Sequence, residues 1–164
     1  ATSPPDALPE QKVVLPGPTP AQNAPRIPLL EPPFTGDYPA TNGFDHDPNP
    51  ALCREFLEDP RHHIAVALDA GVIVGFASGV HYIHPDKPAE LWINEVGVAP
   101  THQRQGIGQQ VLQCLLEEGK RLGCREAWVL TSPANRAGMG LYTAAGGQRL
   151  SDPPAMFTFS LKAR

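Results

Sequence analysis

Residues 98–112 read VAPTHQRQGIGQQVL, and this stretch limits the fold more than any other. A β-branched strand ends at Val98, a short turn runs through Ala99-Pro100-Thr101, and Gln103-Arg104-Gln105-Gly106-Ile107-Gly108 leads into an amphipathic pattern. Ile107, Val111, Leu112, Leu115, Leu116 and Leu122 recur at helical spacing, which predicts a helix from about Arg104 to Leu122. Gly123 stops it, with Lys120 and Arg121 in the last turn, where cations suit the helix dipole. Glycines at a strand-to-helix junction leave backbone N–H groups bare at a helix N-terminus, which is where an anion binds. Gly106 and Gly108 remove side chains where a phosphate must come close. The bound molecule is therefore expected to carry a phosphate. An ordinary helix cap is the alternative reading of the same residues.

Regular structure is expected from Asn49 onward. Asn49 can cap, Pro50 suits a first helical position, and that helix should end before Asp59-Pro60. His63–Leu68 alternates as a strand, Asp69-Ala70-Gly71 makes a tight turn, and Val72–Val80 returns, giving a hairpin. Leu91–Val98 reads as the third strand and residues 126–130 as a buried one. A second helix is expected from Asn135 through Tyr142, and Met156–Leu161 is expected to close the sheet after the turn at Asp152-Pro153-Pro154.

Proline divides the chain. Thirteen of the 20 prolines fall in residues 1–50, so this segment cannot hold a long helix. Residues 1–48 read as a proline-rich extended arm or leader, residues 49–164 as one domain. The arm's apolar clusters are Val13-Val14-Leu15 and Ile27-Pro28-Leu29-Leu30; the first of these could supply a short strand. A net charge of -4 argues against a nucleic-acid partner. No apolar run approaches the ~18 residues needed to span a bilayer, and the N-terminal residues show no signal-peptide pattern. Cys53, Cys114 and Cys124 are odd in number and lack C-x-x-C spacing, which fits reduced thiols and a cytoplasmic setting.

Two motifs in order carry a family resemblance. Gln103-x-x-Gly106-x-Gly108 resembles the signature of the GNAT N-acetyltransferase superfamily, whose loop holds the pyrophosphate of acetyl-coenzyme A. Asn135-x-x-Gly138-x-x-Leu141-Tyr142-x-x-x-Gly146 resembles that family's second motif. The chain departs from it at Gly138, where alanine is usual, at the extra Gly140, and at Gly147, which replaces an aromatic. The resemblance covers about Asn49 to Leu161. It implies an α/β fold with a central mixed, mostly antiparallel twisted sheet, helices on both faces, and a splay between the fourth and fifth strands. The family's first strand and helix are not clearly visible in this sequence.

The implied chemistry is direct attack of a primary amine on an acetyl thioester. Such a site must deprotonate an ammonium, hold a carbonyl and protonate a thiolate. Glu95, on the strand leading into the loop, is the candidate base, acting directly or through water; the other reading is a solvated or arginine-paired carboxylate. Asn94 points to the opposite face of a regular strand, and a bulge would exchange their roles. Tyr142 is the candidate acid, set by the resemblance near the coenzyme sulfur, against a core tyrosine. Val96 and Val98 are expected to pair their backbone with the pantetheine amides, and equally to pack in the core. Gln103, Arg104, Gln105, Gly106, Ile107, Gly108 and Gln109 are the expected phosphate-binding residues. Asn135 is expected to bind the pantetheine arm while capping its helix.

The run Ile93–Val98 with the loop after it resembles the aminoglycoside 3-N-acetyltransferases, and Asp86, Glu90 and Glu95 are candidate carboxylates around a polycationic acceptor. Family members often dimerise, so a homodimer is compatible with the resemblance. No metal is expected: His81-x-x-His84-x-Asp86 lacks a fourth ligand and reads better as a polar loop. Cys114 lies in the apolar stripe and reads as packing. A reading from another class is a non-catalytic acyl-coenzyme A binding or sensing module of the same fold. It would need neither Glu95 nor Tyr142.

Overall fold

A computed structural model of the chain describes residues 25–30, 48–152 and 155–161. Helix α1 is Pro50–Glu58, and Asn49 starts it by accepting hydrogen bonds from the Ala51 and Leu52 N–H groups at 2.9 and 3.3 Å. Strands β1 (His62–Asp69) and β2 (Val72–Tyr82) form the expected hairpin. Its turn is Ala70-Gly71, with φ of 48° and 81°, the left-handed pair that suits a two-residue hairpin. Strand β3 is Glu90–Val98, helix α2 is Ile107–Arg121, strand β4 is Glu126–Val129 and helix α3 is Arg136–Ala144. A 3-10 turn, Pro100–His102, follows β3.

The sheet runs in the order β1-β2-β3-β4. The first two pairings are antiparallel, while β3 and β4 are parallel. A parallel pair needs a crossover, and α2 supplies it. One face of α2 (Ile107, Val111, Leu112, Leu115) is buried against Ala65, Ala67, Val74, Ala77, Leu91 and Ile93. Glycines set how closely it lies. A Cβ on Gly75 would stand 2.7 Å from Ile107 Cγ2, and one on Gly119 would stand 2.8 Å from Leu91 Cδ2. A smaller cluster of Val66, Ile73 and Phe76 lies apart from that core. Phe56 of α1 packs on His62, ring centroids 4.7 Å apart.

Helices α2 and α3 end as the glycines require. Gly123, at φ 80°, follows α2, with Gly123 N–H donating to Lys120 and Cys124 N–H to Gly119. Gly146, at φ 89°, follows α3, with Gly146 N–H donating to Thr143 and Gly147 N–H to Tyr142. Each is the paired closure in which a left-handed residue lets two N–H groups fold back on the last turn.

Three expectations change. Helix α2 begins at Ile107 rather than Arg104, because Arg104 (φ 64°) and Gly106 (φ 80°) are left-handed and cannot propagate a right-handed helix. Residues 126–130 are not a buried strand. Among the described residues Glu126–Val129 pairs on one side only, with Glu126 and Ala127 exposed and Leu130 55% exposed. Met156–Leu161 forms no strand; Met156, Phe157, Phe159 and Leu161 are 75–94% exposed, so no burial offsets the entropy of ordering them. Val13–Leu15 lie outside the described residues; the edge of β1 is covered by residues 26–30 of the expected arm. There Arg26 and Leu68 exchange two backbone hydrogen bonds, Val66 N–H donates to Pro28 and Leu30 N–H to Ile64. Among the described residues no helix is long and apolar enough to cross a membrane.

Candidate active site

The candidate residues gather where β3 outruns β4. Pairing between these strands stops at Ile93 opposite Val129, and β3 continues to Val98 with no strand paired to that edge among the described residues. Ala99 N–H donates to Val74 on β2 at 2.9 Å, so Ala99, Gly97 and Glu95 turn their backbone groups toward β2. By alternation, Val96 and Val98 turn theirs to the open edge. Their side chains pack against the α2 core, so the packing role and the outward backbone coexist.

A bulge fixes where Glu95 points. Ser78 pairs with Glu95 but Gly79 pairs with Ile93, leaving Asn94 as the extra residue. Gly75 and Gly79 abut Ile107 and Leu115 of α2, so Ser78 and Val80 face the other way. Cross-strand partners share a face. Glu95, opposite Ser78, and Trp92, opposite Val80, therefore both lie on the sheet face away from α2, which a regular strand could not arrange. Ser78 is buried and Glu95 half-buried.

The loop into α2 is exposed at Gln103, Arg104, Gln105 and Gly106. No side chain caps the helix, and its first backbone hydrogen bond runs from Gln110 N–H to Gly106 at 3.1 Å. Ile107 is buried, so only its backbone can face a ligand; Gln109 is exposed. The Gln103 amide donates to the Val98 carbonyl at 3.1 Å, and Gln105 donates to Thr101 at 3.3 Å. These two side chains tie the loop to the end of β3, a role that the sequence pattern alone did not expose.

Helix α3 flanks the same end. Leu141 Cδ1 and Cδ2 lie 3.7 Å from where a Gly108 Cβ would stand. The neighbouring Tyr142 is half-buried against the α2 core, and burial raises its phenol pKa. Asn135 caps α3, accepting from Gly138 N–H at 3.0 Å, while its amide donates to Thr131 Oγ1 at 3.1 Å. A Cβ on residue 138 would stand 2.7 Å from Asn135 Nδ2, which explains glycine there.

The histidines and the other acids are engaged with partners of their own. His81 Nδ1 is 2.7 Å from His63 Nε2, and His84 lies 3.6 Å from Glu90, so the two are turned to different partners. Glu90 accepts from Tyr82 Oη at 2.6 Å and pairs with Lys87, which brings its pKa down to about 2. Asp86 is exposed on the loop. Cys53, Cys114 and Cys124 are free, and burial pushes the Cys114 thiol up to about 11, as packing rather than nucleophilic use requires. Sequence reasoning missed an aromatic row on the Glu95 face. Trp92 stacks on Trp128 with centroids 5.7 Å apart and planes 14° apart, and Trp128 Nε1 donates to Tyr82 Oη at 2.9 Å. The available signal was two tryptophans on strands whose alternation assigns them to the face away from the core.

Known proteins resemble this arrangement. N-alpha-acetyltransferase RimI of Mycobacterium tuberculosis is 35% identical over 108 residues, 66% of this chain and 65% of its own length. L-2,4-diaminobutyric acid acetyltransferase of Nocardia farcinica is 30% identical over 97 residues, 59% of this chain and 47% of its own length. The chain thus spans about two thirds and about half of these relatives. Among solved structures, an aminoglycoside acetyltransferase from an uncultured soil metagenomic sample superposes with a TM-score of 0.69 at 18% identity, covering 86% of this chain and 99% of that one. Aminoglycoside N-Acetyltransferase AAC(6')-Iy superposes with a TM-score of 0.59 at 23% identity, covering 68% and 75%. These likenesses show the fold, and they do not single out the 3-N-acetyltransferases. The family model described as Acetyltransferase (GNAT) family matches residues 27–146, and the chain belongs to that family.

Proposed function

We propose that the protein transfers acetyl from acetyl-coenzyme A to a primary amine. The observation that carries this reading is the uncapped N-terminus of α2, opened by left-handed Arg104 and Gly106 beside the unpaired edge of β3. Backbone N–H groups from Gln103 to Gln109 would hold the pyrophosphate, with Arg104 adding charge. The described sheet has four strands and shows no splay, only an edge of β3 that runs on past the end of β4; the pantetheine would lie along that edge, against the backbones of Val96 and Val98. Asn135, at the head of α3, would meet the same arm. Glu95 would approach this edge from the sheet face away from α2, and Tyr142, which packs against the α2 core, from the other. Glu95 then takes the proton from the ammonium, directly or through water. The freed amine attacks the thioester carbonyl, and Tyr142 gives its proton to the departing thiolate. A phenol whose pKa is raised by burial stays protonated for that task.

The acceptor we favour is a small polyamine or an aminoglycoside. Relatives named for 2,4-diaminobutyric acid and aminoglycosides support it, as does the acid- and tryptophan-bearing face beside Glu95. A second reading, the α-amine of a polypeptide, is favoured by the 35% identity to the N-alpha-acetyltransferase. Thiol release from acetyl-coenzyme A, measured across an aminoglycoside, diamines and an alanine-initiated peptide, tests both. Release with the cations alone supports the first reading, and release with the peptide alone supports the second. Coenzyme binding without release for any acceptor would instead favour a sensing module.

A further inference from the structure

We infer that Trp92 and Trp128 form an acceptor subsite for a second positive charge, carried on the same molecule as the reacting amine; this rests on the acetyl-transfer reading above. Strand β4 ends just past these residues. Trp92 pairs with Trp128, and the next pair, Ile93 with Val129, is the last. The rings therefore sit where the edge of β3 loses its partner strand. They lie on the face that the Asn94 bulge gives to Glu95.

The pair is rigid from below and open above. Trp128 is held by Trp92 on one side and by its hydrogen bond to Tyr82 Oη on another, and Tyr82 is itself held by Glu90. Trp92, by contrast, is 37% exposed although it is among the largest side chains of the sheet. An aromatic face draws cations, and tryptophan does so best. The surrounding charge agrees. Register puts the exposed Glu126 beside Glu90 on this same face, and Glu95 lies farther along β3. Lys87 is engaged with Glu90. Two residues along β3, allowing for the bulge, put the ring roughly 7–10 Å from the Glu95 carboxylate. A diamine of about five carbons spans that interval. Its first nitrogen would meet the base and its second the tryptophan face.

The test compares 1,5-diaminopentane with pentylamine in the full chain, which differ only in the second charge. The ratio of kcat/KM for diamine over monoamine should fall roughly three- to thirty-fold in Trp92→Leu and be largely retained in Trp92→Phe. Far-ultraviolet dichroism and coenzyme affinity check that each variant folds. A ratio unchanged in Trp92→Leu overturns the subsite, as does an equal loss in Trp92→Phe. If the native protein acetylates neither amine, the transfer reading is judged on the wider acceptor panel above, and the subsite by calorimetry. Saturable diaminopentane binding weakened by Trp92→Leu then supports it, and absence of binding overturns it.

Discussion

At the scale of single residues, the proposed chemistry depends on two side chains on opposite faces of the sheet, Glu95 away from α2 and Tyr142 packed on its side. Glu95 owes its direction to the extra residue Asn94, not to its own identity. Glu95→Gln keeps the shape and removes the base, so kcat should fall roughly 10²- to 10⁴-fold while coenzyme binding persists. That deficit should narrow as pH rises toward the ~10 of an alkyl ammonium, because a growing fraction of acceptor arrives neutral. Tyr142→Phe should lower kcat without a matching loss of coenzyme binding, and raising pH should not rescue it, since the missing group is a proton donor. Stopped assays across pH, paired with coenzyme titrations, read all of this. Full turnover in both variants would remove both residues from the mechanism.

At the scale of elements, the loop before α2 acts as a hinge between strand and helix, and Gln103 is its latch. Its amide bonds the Val98 carbonyl, the outward-facing carbonyl nearest the helix. Losing one neutral hydrogen bond of this kind costs about 0.5–1.5 kcal/mol, less where water can replace it. Gln103→Leu should therefore raise the coenzyme dissociation constant roughly two- to five-fold and leave thermal stability nearly unchanged. A large drop in melting temperature, or a fall in kcat alone, would contradict the latch. Much at this scale was legible in the sequence. The Asn49 cap, the hairpin at Ala70-Gly71 and the glycine stop at 123 are local effects, and local sequence encodes them. The start of α2 was misread because apolar period carries no sign of φ, and Arg104 gives no hint of its left-handed backbone. The bulge at Asn94 was equally hidden, since it arises from pairing with β2. Residues 156–161 alternate well enough to suggest a strand, but a strand exists only where a partner edge accepts it, and these residues have no ladder. The aromatic row escaped notice because it joins residues from three strands.

At the scale of the whole molecule, the sheet and α2 are clamped at two ends that do different things. One end is the loop and open edge. The other, eleven residues and roughly 17 Å along the helix, is a buried polar knot. There Glu118, only 7% exposed, binds Arg121 at 2.5 and 2.7 Å and lies 4.0 Å from His63, which shares a 2.7 Å contact with His81. That contact needs one ring nitrogen to accept, so the two imidazoles cannot both be fully protonated while it lasts. Burial, then the charge of His81, hold the His63 pKa below its ordinary 6.5, although Glu118 pulls it upward. Below 6.5 the unfolded chain takes up a proton that the native state refuses. This contribution to stability is therefore complete above 6.5 and is lost as pH falls through that value toward the lower native pKa. The Glu118 carboxyl, lowered chiefly by its hydrogen bonds from Arg121, adds a second loss, beginning as pH drops below about 4.5. Both losses have the same sign, so the melting temperature should decline from pH 7.5 to 5.5 and again below 4.5. His63→Leu should flatten the first step and leave the second, whereas Glu118→Gln should shrink the second without abolishing it, because the lowered carboxyl of Glu90 titrates over the same acid range. Calorimetric scans at closely spaced pH values separate the two. A native melting temperature that holds constant between pH 7.5 and 5.5 would mean that His63 takes its proton as readily in the folded chain as in the unfolded one. The knot would then be a packing contact without a titration behind it.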